Sequence, residues 1–460
     1  MRQNLLDQLP LVPVPIDHVH SRELTAISEL LDQMPEAVKL VHENLCWRGK
    51  RRVDPTKGRH GMAAEQVLRV GILKQITGFS YEQLAFHLAD SNTYRTFCRL
   101  GFDRTPLQKS ALQKNLKRVT SGTWQAIHAM GVLKADELKL ETGDKVRTDC
   151  TVVESNIHHP TDSSLLWDSV RVLVRGMSRA KETFGIEFHN HSRRAKRRAM
   201  GILNAKSTAE RRPLYRDLIK VTDKTLAQAE RVASQLDKVE VGSILQMAFA
   251  ETLATELREH VRLAHQVISQ TERRMFRGET VPASEKLVSI FETHTDIIIK
   301  DRRETLYGHK LCLTSGASGV VTDVVVERGN PADSTLAVKM IERHKRLFGR
   351  PPRQATFDGG FASLANLADI KSLGVEDVAF SKRCRLKIED MVKSSSVYRK
   401  LRNFRAGIEG VISYLKRGFG LTRCLWRGFQ SFQAYVHASV VACNLLLMAR
   451  HTLKTRSQPA

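Results

Sequence analysis

Three carboxylates in this 460-residue chain stand where a carboxylate needs a reason. Asp149 falls in the middle of an alternating, strand-like run at 145–155, a poor place for Asp on propensity alone. Asp358 closes the short run QATFD at 354–358, immediately before Gly359 and Gly360. Glu409 is the single acidic residue in a helical stretch at 397–417 that carries six Lys and Arg. Each has a plain alternative: Asp149 as an edge-strand residue facing water, Asp358 as a turn former, Glu409 as the salt-bridge partner of Arg405 one turn earlier. Brought together, the three would supply the hard oxygen ligands that Mg²⁺ or Mn²⁺ prefers.

The helical stretch adds a second layer. At 3.6 residues per turn, Arg402, Arg405, Glu409 and Lys416 fall in one stripe, and Ile408, Ile412, Leu415 and Phe419 form the apolar stripe beside it. Glu409 then sits at the edge of a buried face with cations above and below. That layout suits a place where metal ions and phosphates meet. His309 and Lys310, in YGHK at 307–310, lie on a strand expected beside the first. A phosphate contact and a core or surface role are both open to them. Two other patterns are decoys. Residues 189–191 spell HNH, but no ββα unit surrounds them, so a surface loop is expected. His158 and His159 are adjacent and project apart, so they suit a rim better than a metal pair.

The elements that must position these residues follow from periodicity. Residues 62–133 read as a series of short helices, with Ser80 and Gln83 forming a capping box at the start of one. Residues 62–89 have the outline of a helix–turn–helix. After the strand at 145–155, helical spacing runs from 160 to 278, with a turn at 241–242. This stretch includes the basic block SRRAKRRAM at 192–200, a solvated face or a phosphate contact. Strands are expected at 306–315 and 320–329, joined as a hairpin, then a helix at 333–348 and a strand at 354–358. A helix at 363–373, a strand at 375–381, the basic helix and an apolar helix at 429–448 complete the chain. With the helical insert set aside, three strands followed by alternating helices and strands give an α/β ribonuclease-H-like mixed sheet flanked by helices. The expected domains are a helical region at 1–140 for DNA binding or dimerisation, a catalytic domain from 141–158 and 290–450, and an inserted helical subdomain at 159–289.

Composition narrows the partners. The chain has 73 Lys and Arg against 49 Asp and Glu, a formal charge of +24, and a pI near 9.9. Such an excess suits a polyanion, nucleic acid before an anionic membrane, although surface charge also serves solubility. No CxxC pair occurs among the seven cysteines, which argues against a zinc knuckle or a disulfide framework and fits a reducing cytosol. The first residues lack a charged-then-apolar signal pattern. The longest apolar run, at 438–449, contains Ser, Cys and Asn and is too short to span a bilayer, so no membrane partner is expected.

The segments RTDCTVVES (147–155), ATFDGGF (355–361) and RNFRAGIEGVISYLKRGFG (402–420) resemble those of bacterial insertion-sequence DDE transposases. That group carries a helix signature of Tyr, two residues, Arg, three residues, Glu, six residues, Lys. This chain matches with Arg405, Glu409 and Lys416 and has Arg402 in the Tyr position. FSYEQLAFHLADSNTYRTFCRLG (79–101) is similar to the helical region that precedes such cores. The resemblance implies a catalytic and metal-binding triad of Asp149, Asp358 and Glu409, working with two Mg²⁺ or Mn²⁺ ions. The cationic stripe offers Arg402, Arg405 and Lys416 as DNA contacts, with His309 and Lys310 as further candidates. The partners the resemblance implies are double-stranded DNA, as element terminal inverted repeats and target, and further copies of the chain assembled on that DNA. The setting would be the bacterial cytoplasm, at the nucleoid. The function implied is metal-dependent DNA cleavage and strand transfer. The rivals are a catalytically silent DNA-binding repressor derived from a transposase and a nuclease of the same fold that cuts without joining.

Overall fold

A computed structural model describes residues 16–49, 51–57, 61–101, 106–239, 243–300, 304–382 and 384–457. The Pro-rich arm at 1–15 and the turn expected at 241–242 lie outside the described residues. The chain forms two compact units, one of Met1–Ser155 with Gly308–Ala460 and one of Asn156–Tyr307.

The first unit begins with helices. They are α1 (Val19–Asp32), α2 (Pro35–Leu45), a small hairpin of β1 (Trp47–Arg48) and β2 (Arg51–Arg52), α3 (Ala64–Thr77), α4 (Tyr81–Asp90), α5 (Asn92–Phe97), α6 (Lys109–Leu116) and α7 (Ser121–Glu137). Gly78 ends α3 in the left-handed conformation at φ 68°, which glycine adopts without a Cβ penalty. Ser80 then opens α4 with the capping box read from sequence: Gln83 N donates to Ser80 Oγ at 3.2 Å and Ser80 N to Gln83 Oε1 at 2.9 Å. The helix–turn–helix outline at 62–89 is thus a helix pair. Helix α3 is buried on nearly all sides, down to Arg69, whose guanidinium bonds Glu65, Asp32, Ser28 and the Phe97 carbonyl. Helix α4 carries Glu82 and Asp90 and no Lys or Arg.

The long strand β3 (Lys145–Ser155) follows, with the boundaries its alternation implies. The second unit holds α8 (Asp162–Phe184), α9 (Ser192–Asn204), α10 (Thr208–Leu236), α11 (Ile244–Met275) and β4 (Asp296–Lys300). Its core is built from the apolar rows read at helical spacing: Leu218, Val221, Leu226, Ala229, Ala233 and Leu236 of α10 are all buried.

The chain then completes the sheet with β5 (Glu304–Ser315), β6 (Val321–Val326), α12 (Ala337–Phe348), β7 (Gln354–Phe357), α13 (Leu364–Ser372), β8 (Asp377–Phe380), α14 (Ile388–Met391), α15 (Ser395–Gly418), β9 (Arg423–Cys424) and α16 (Phe429–Ser457). The seven-stranded mixed sheet has the order β4-β5-β3-β7-β8, with β6 paired to β5 and β9 to β3. Strand β3 is antiparallel to β5 and parallel to β7, and β7 is parallel to β8. This is the ribonuclease-H-like arrangement, the first strand of the core lying beside the fourth. The short β4, β9 and α14 were not legible as elements, nor were α1 and α2.

Helix α16 is longer than the apolar run that marks it, and by length and composition alone it would pass for a membrane span, with a mean hydropathy of 1.5. Yet 89% of that window is buried within the protein. The polar residue in its middle shows what it packs against: Asn444 accepts from Val321 N at 3.0 Å and donates to Val321 O at 2.8 Å, stitching α16 to the start of β6. It is a core helix, apolar because it is covered.

Candidate active site

Register decides where the two aspartates go. Strands β3 and β7 run parallel with Lys145 opposite Gln354 and Thr148 opposite Phe357. One residue further along both strands, Asp358 leaves the end of β7 beside Asp149 in the middle of β3. Asp358 has already left the strand there and sits at the entry to a 3₁₀ turn over Gly359–Phe361. Outside the ends of parallel strands is where α/β sheets gather ligands.

Helix α15 brings the third carboxylate. Its Arg405 places one guanidinium among all three acids. Nη2 lies 2.7 Å from Asp149 Oδ2 and 3.2 Å from Asp358 Oδ1, and Nη1 lies 3.1 Å from Glu409 Oε1. The plain salt-bridge account of Glu409 is therefore present, but it describes only one arm of a four-residue cluster. The cluster is graded in burial: the Asp149 side chain is 15% exposed, Asp358 41% and Glu409 68%.

Electrostatics separate the two aspartates. Burial raises the Asp149 carboxyl above its ordinary range, against the opposing pull of Arg405 and of a 2.7 Å bond from Cys150 N. Asp358 moves the other way. Partial burial works against its charge, but the Ser381 hydroxyl at 2.7 Å, the amides of Gly359 and Gly360, and Arg405 together hold it below the usual carboxylate range. The neighbouring Cys150 thiol is kept protonated by Cys312 and by burial, so it offers no thiolate nucleophile.

What docks α15 onto the sheet is Arg147, two residues before Asp149 and so on the same face of β3. Its Nε donates to Ser315 Oγ at 2.9 Å and its Nη1 to the Phe404 carbonyl at 3.1 Å. The guanidinium also stacks 4.7 Å from the Phe404 ring centroid. Gly407 makes this approach possible, because a Cβ there would overlap the Arg147 guanidinium. Gly407→Val is accordingly expected to destabilise the protein by about 1–3 kcal/mol, the usual cost of overpacking. Arg147→Ala should absorb most of that penalty in the double variant. Urea melts of the two single variants and the double would decide it, and simple additivity would reject this contact as the cause.

The remaining sequence candidates divide. Arg402 is exposed on α15 and Lys416 is half-buried two turns beyond Glu409. His309 is a core residue: it is 0% exposed and its ring packs edge-on to Phe429 and Phe432, with centroids 5.0 and 4.9 Å apart. A side chain so enclosed has no surface to present to DNA, and the expectation of a phosphate contact there is corrected. Lys310 is 13% exposed, and its ammonium binds Asp333 Oδ1 at 2.9 Å and the Pro331 carbonyl at 2.7 Å, inside the protein rather than toward a phosphate. His158 leans on Asp168 at 3.3 Å and His159 on the Tyr307 ring, so the pair does diverge. The HNH letters fall in a loop before α9. Ser381, Arg147 and Gly407 were not singled out from sequence. Only Arg147 carried a signal, its period-two relation to Asp149.

The family model described as "Transposase DDE domain" matches residues 290–445, and the one described as "Transposase domain (DUF772)" matches residues 16–118. Together they span more than half of the chain. The first covers Asp358, Arg405 and Glu409 but not β3, so Asp149 joins the site through its geometry alone. No curated protein and no solved structure matches the chain.

Proposed function

From the membership of this chain in the insertion-sequence DDE transposase family, we propose that it binds the terminal inverted repeats of its own mobile element, cuts the DNA there and joins the freed ends to a target. The observation that carries this reading is the convergence of Asp149, Asp358 and Glu409 on one cationic group, from the middle of one strand, the end of another and a helix.

DDE domains of this kind depend on a divalent metal, and the donor set fits one. Three carboxylates already gather round a single positive charge, and all their donors are hard oxygens. Among the described residues no three ligating side chains meet at metal-binding spacing, the guanidinium standing between the acids. Two Mg²⁺ or Mn²⁺ ions held by Asp149, Asp358 and Glu409 would activate the attacking oxygen and stabilise the leaving one. Arg405 favours the charged form of the buried Asp149 against its desolvation and fixes its position. Released from the acids, the same fork of N–H groups is placed to take a phosphate oxygen with two hydrogen bonds. In the first step water attacks the phosphodiester at the element end and a 3′-hydroxyl leaves. In the second that hydroxyl attacks a target phosphodiester. Arg402 and Lys416 extend the cationic stripe along α15 for the flanking phosphates. Both element ends must be processed together, so two or more copies of the chain assemble on the DNA.

The test is a supercoiled plasmid carrying the sequences that flank the coding region, incubated with the protein and Mg²⁺ or Mn²⁺. Nicks with 3′-hydroxyl ends at the repeats, followed by joined products, are the expected result. Binding without nicking would favour a silent repressor, and nicking without joining a nuclease.

A further inference from the structure

Helix α9 reads SRRAKRRAMGILN, with all five of its cations in the first two turns and no acidic residue anywhere along it. This is the unfavourable end. The helix dipole is positive at its N-terminus, and cations there cost stability where carboxylates would add it. The like charges at Arg193 and Lys196, Arg193 and Arg197, and Arg194 and Arg198 also repel at i,i+3 and i,i+4 spacing. A solvated face chosen for stability would carry these charges at the other end, or would alternate them with acids.

Two of the five are accounted for. Arg194 and Arg198 both pair with Asp217 of α10, which fixes the helix about its axis. Buried Ala195 and Ile202 mark its inward side. Arg193, Lys196 and Arg197 point away from that side and are exposed, and none of them forms an ion pair among the described residues. The surroundings are positive too. His191, just before the helix, is held below its ordinary pKa by burial first and then by His189, Lys224 and Arg194. An anion at this face would relieve the dipole, the mutual repulsion and the unpaired cations at once. Arg193 and Arg197 stand about 6 Å apart along the axis, a reach of roughly two backbone phosphates.

We propose that the outer face of α9, formed by Arg193, Lys196 and Arg197, is a duplex-DNA contact that grips the sugar–phosphate backbone without reading base sequence. The proposal rests on the transposase reading of the chain. It assigns to the second unit a share in holding DNA, separate from the chemistry of the carboxylates.

The test uses the full chain with Arg193→Gln, Lys196→Gln and Arg197→Gln combined, and a random-sequence duplex titrated over a range of salt. The slope of log affinity against log salt is expected to shallow by roughly two to three, about 0.9 for each lost phosphate contact. The thermal midpoint should stay level or rise, since the removed charges oppose their own helix. A merely structural role would move the midpoint down and leave the slope alone. The variant with Arg193→Lys and Arg197→Lys should keep the slope, because a backbone grip needs charge and not a guanidinium. If the wild type binds and cuts DNA but the triple Gln variant keeps its slope, this assignment alone is wrong. If the wild type shows no salt-dependent duplex binding, the transposase reading falls with it. Loss of sedimentation with phosphatidylserine vesicles, duplex affinity being kept, would overturn the proposal in favour of a membrane-facing surface.

Discussion

Asp149→Asn, Asp358→Asn and Glu409→Gln should each reduce cleavage by on the order of 10²–10³-fold or more, the scale of losing one group that stabilises charge at a transition state. DNA binding should change little, because affinity for duplex rests on cations. The three differ in what else they disturb. Asp149 is the most enclosed and accepts from both Cys150 N and Arg405, so Asp149→Asn leaves one oxygen for two donors and turns its N–H toward one of them, and part of its effect will be local disorder. Asp358→Asn keeps an oxygen for the Ser381 hydroxyl, which lies 2.7 Å away. Glu409 is 68% exposed and pairs only with Arg405 within the cluster, so Glu409→Gln should leave folding almost untouched. That makes it the cleanest of the three. The measurement is nicking at the element ends beside a gel-shift titration at fixed salt. Cutting at near wild-type rate by any one variant removes that residue from the triad.

Removing the cation from the centre should do nearly as much. Were Arg405 only an exposed partner of Glu409, Arg405→Ala would cost a few tenths of a kcal/mol. Its side chain is instead 16% exposed and within 3.2 Å of Asp149 and Asp358 as well. Without it, burial and the neighbouring Asp358 push the Asp149 carboxyl further above its ordinary range. A stability loss of about 1–3 kcal/mol is expected in metal-free buffer, the range for leaving a buried polar group uncompensated. Divalent metal should restore part of it, since another cation then serves the same carboxylates. Strand transfer should fall by on the order of 10²-fold, again as for one lost electrostatic group. Arg405→Lys should recover only a fraction, because an ammonium cannot reach three acids with a planar fork. Lys416→Ala is the milder companion, flattening the salt slope by roughly one phosphate contact. A metal-free melting curve for Arg405→Ala that overlays the wild type would return Arg405 to the plain salt-bridge account.

Local patterning already carries much of the architecture. Strand β3 was legible to the residue because alternation is a local property, enforced by the opposite faces of a pleated chain. The capping box at Ser80 and the apolar rows of α10 were legible for the same reason, since each is complete within a few residues. The mixed α/β core followed from the order of elements, and the three acids from their unfavourable settings in a strand, at a strand end and on a basic helix.

Which residues meet depends on contacts between distant segments. The offset that sets Asp149 beside Asp358 is a register between segments some two hundred residues apart, and nothing local fixes a register. Whether Arg405 served one acid or three depended on how closely α15 approaches the sheet, which Gly407 and Arg147 settle from different elements. His309 and Lys310 show the converse. Their residue types left a phosphate contact and a core or surface role open, and packing against α16 enclosed the first while Asp333 captured the second. The apolar run of α16 read as too short for a bilayer, and the longer helix that forms around it has 89% of its apolar window covered by the protein. Burial is a property of the whole assembled chain, and each of these outcomes turned on it.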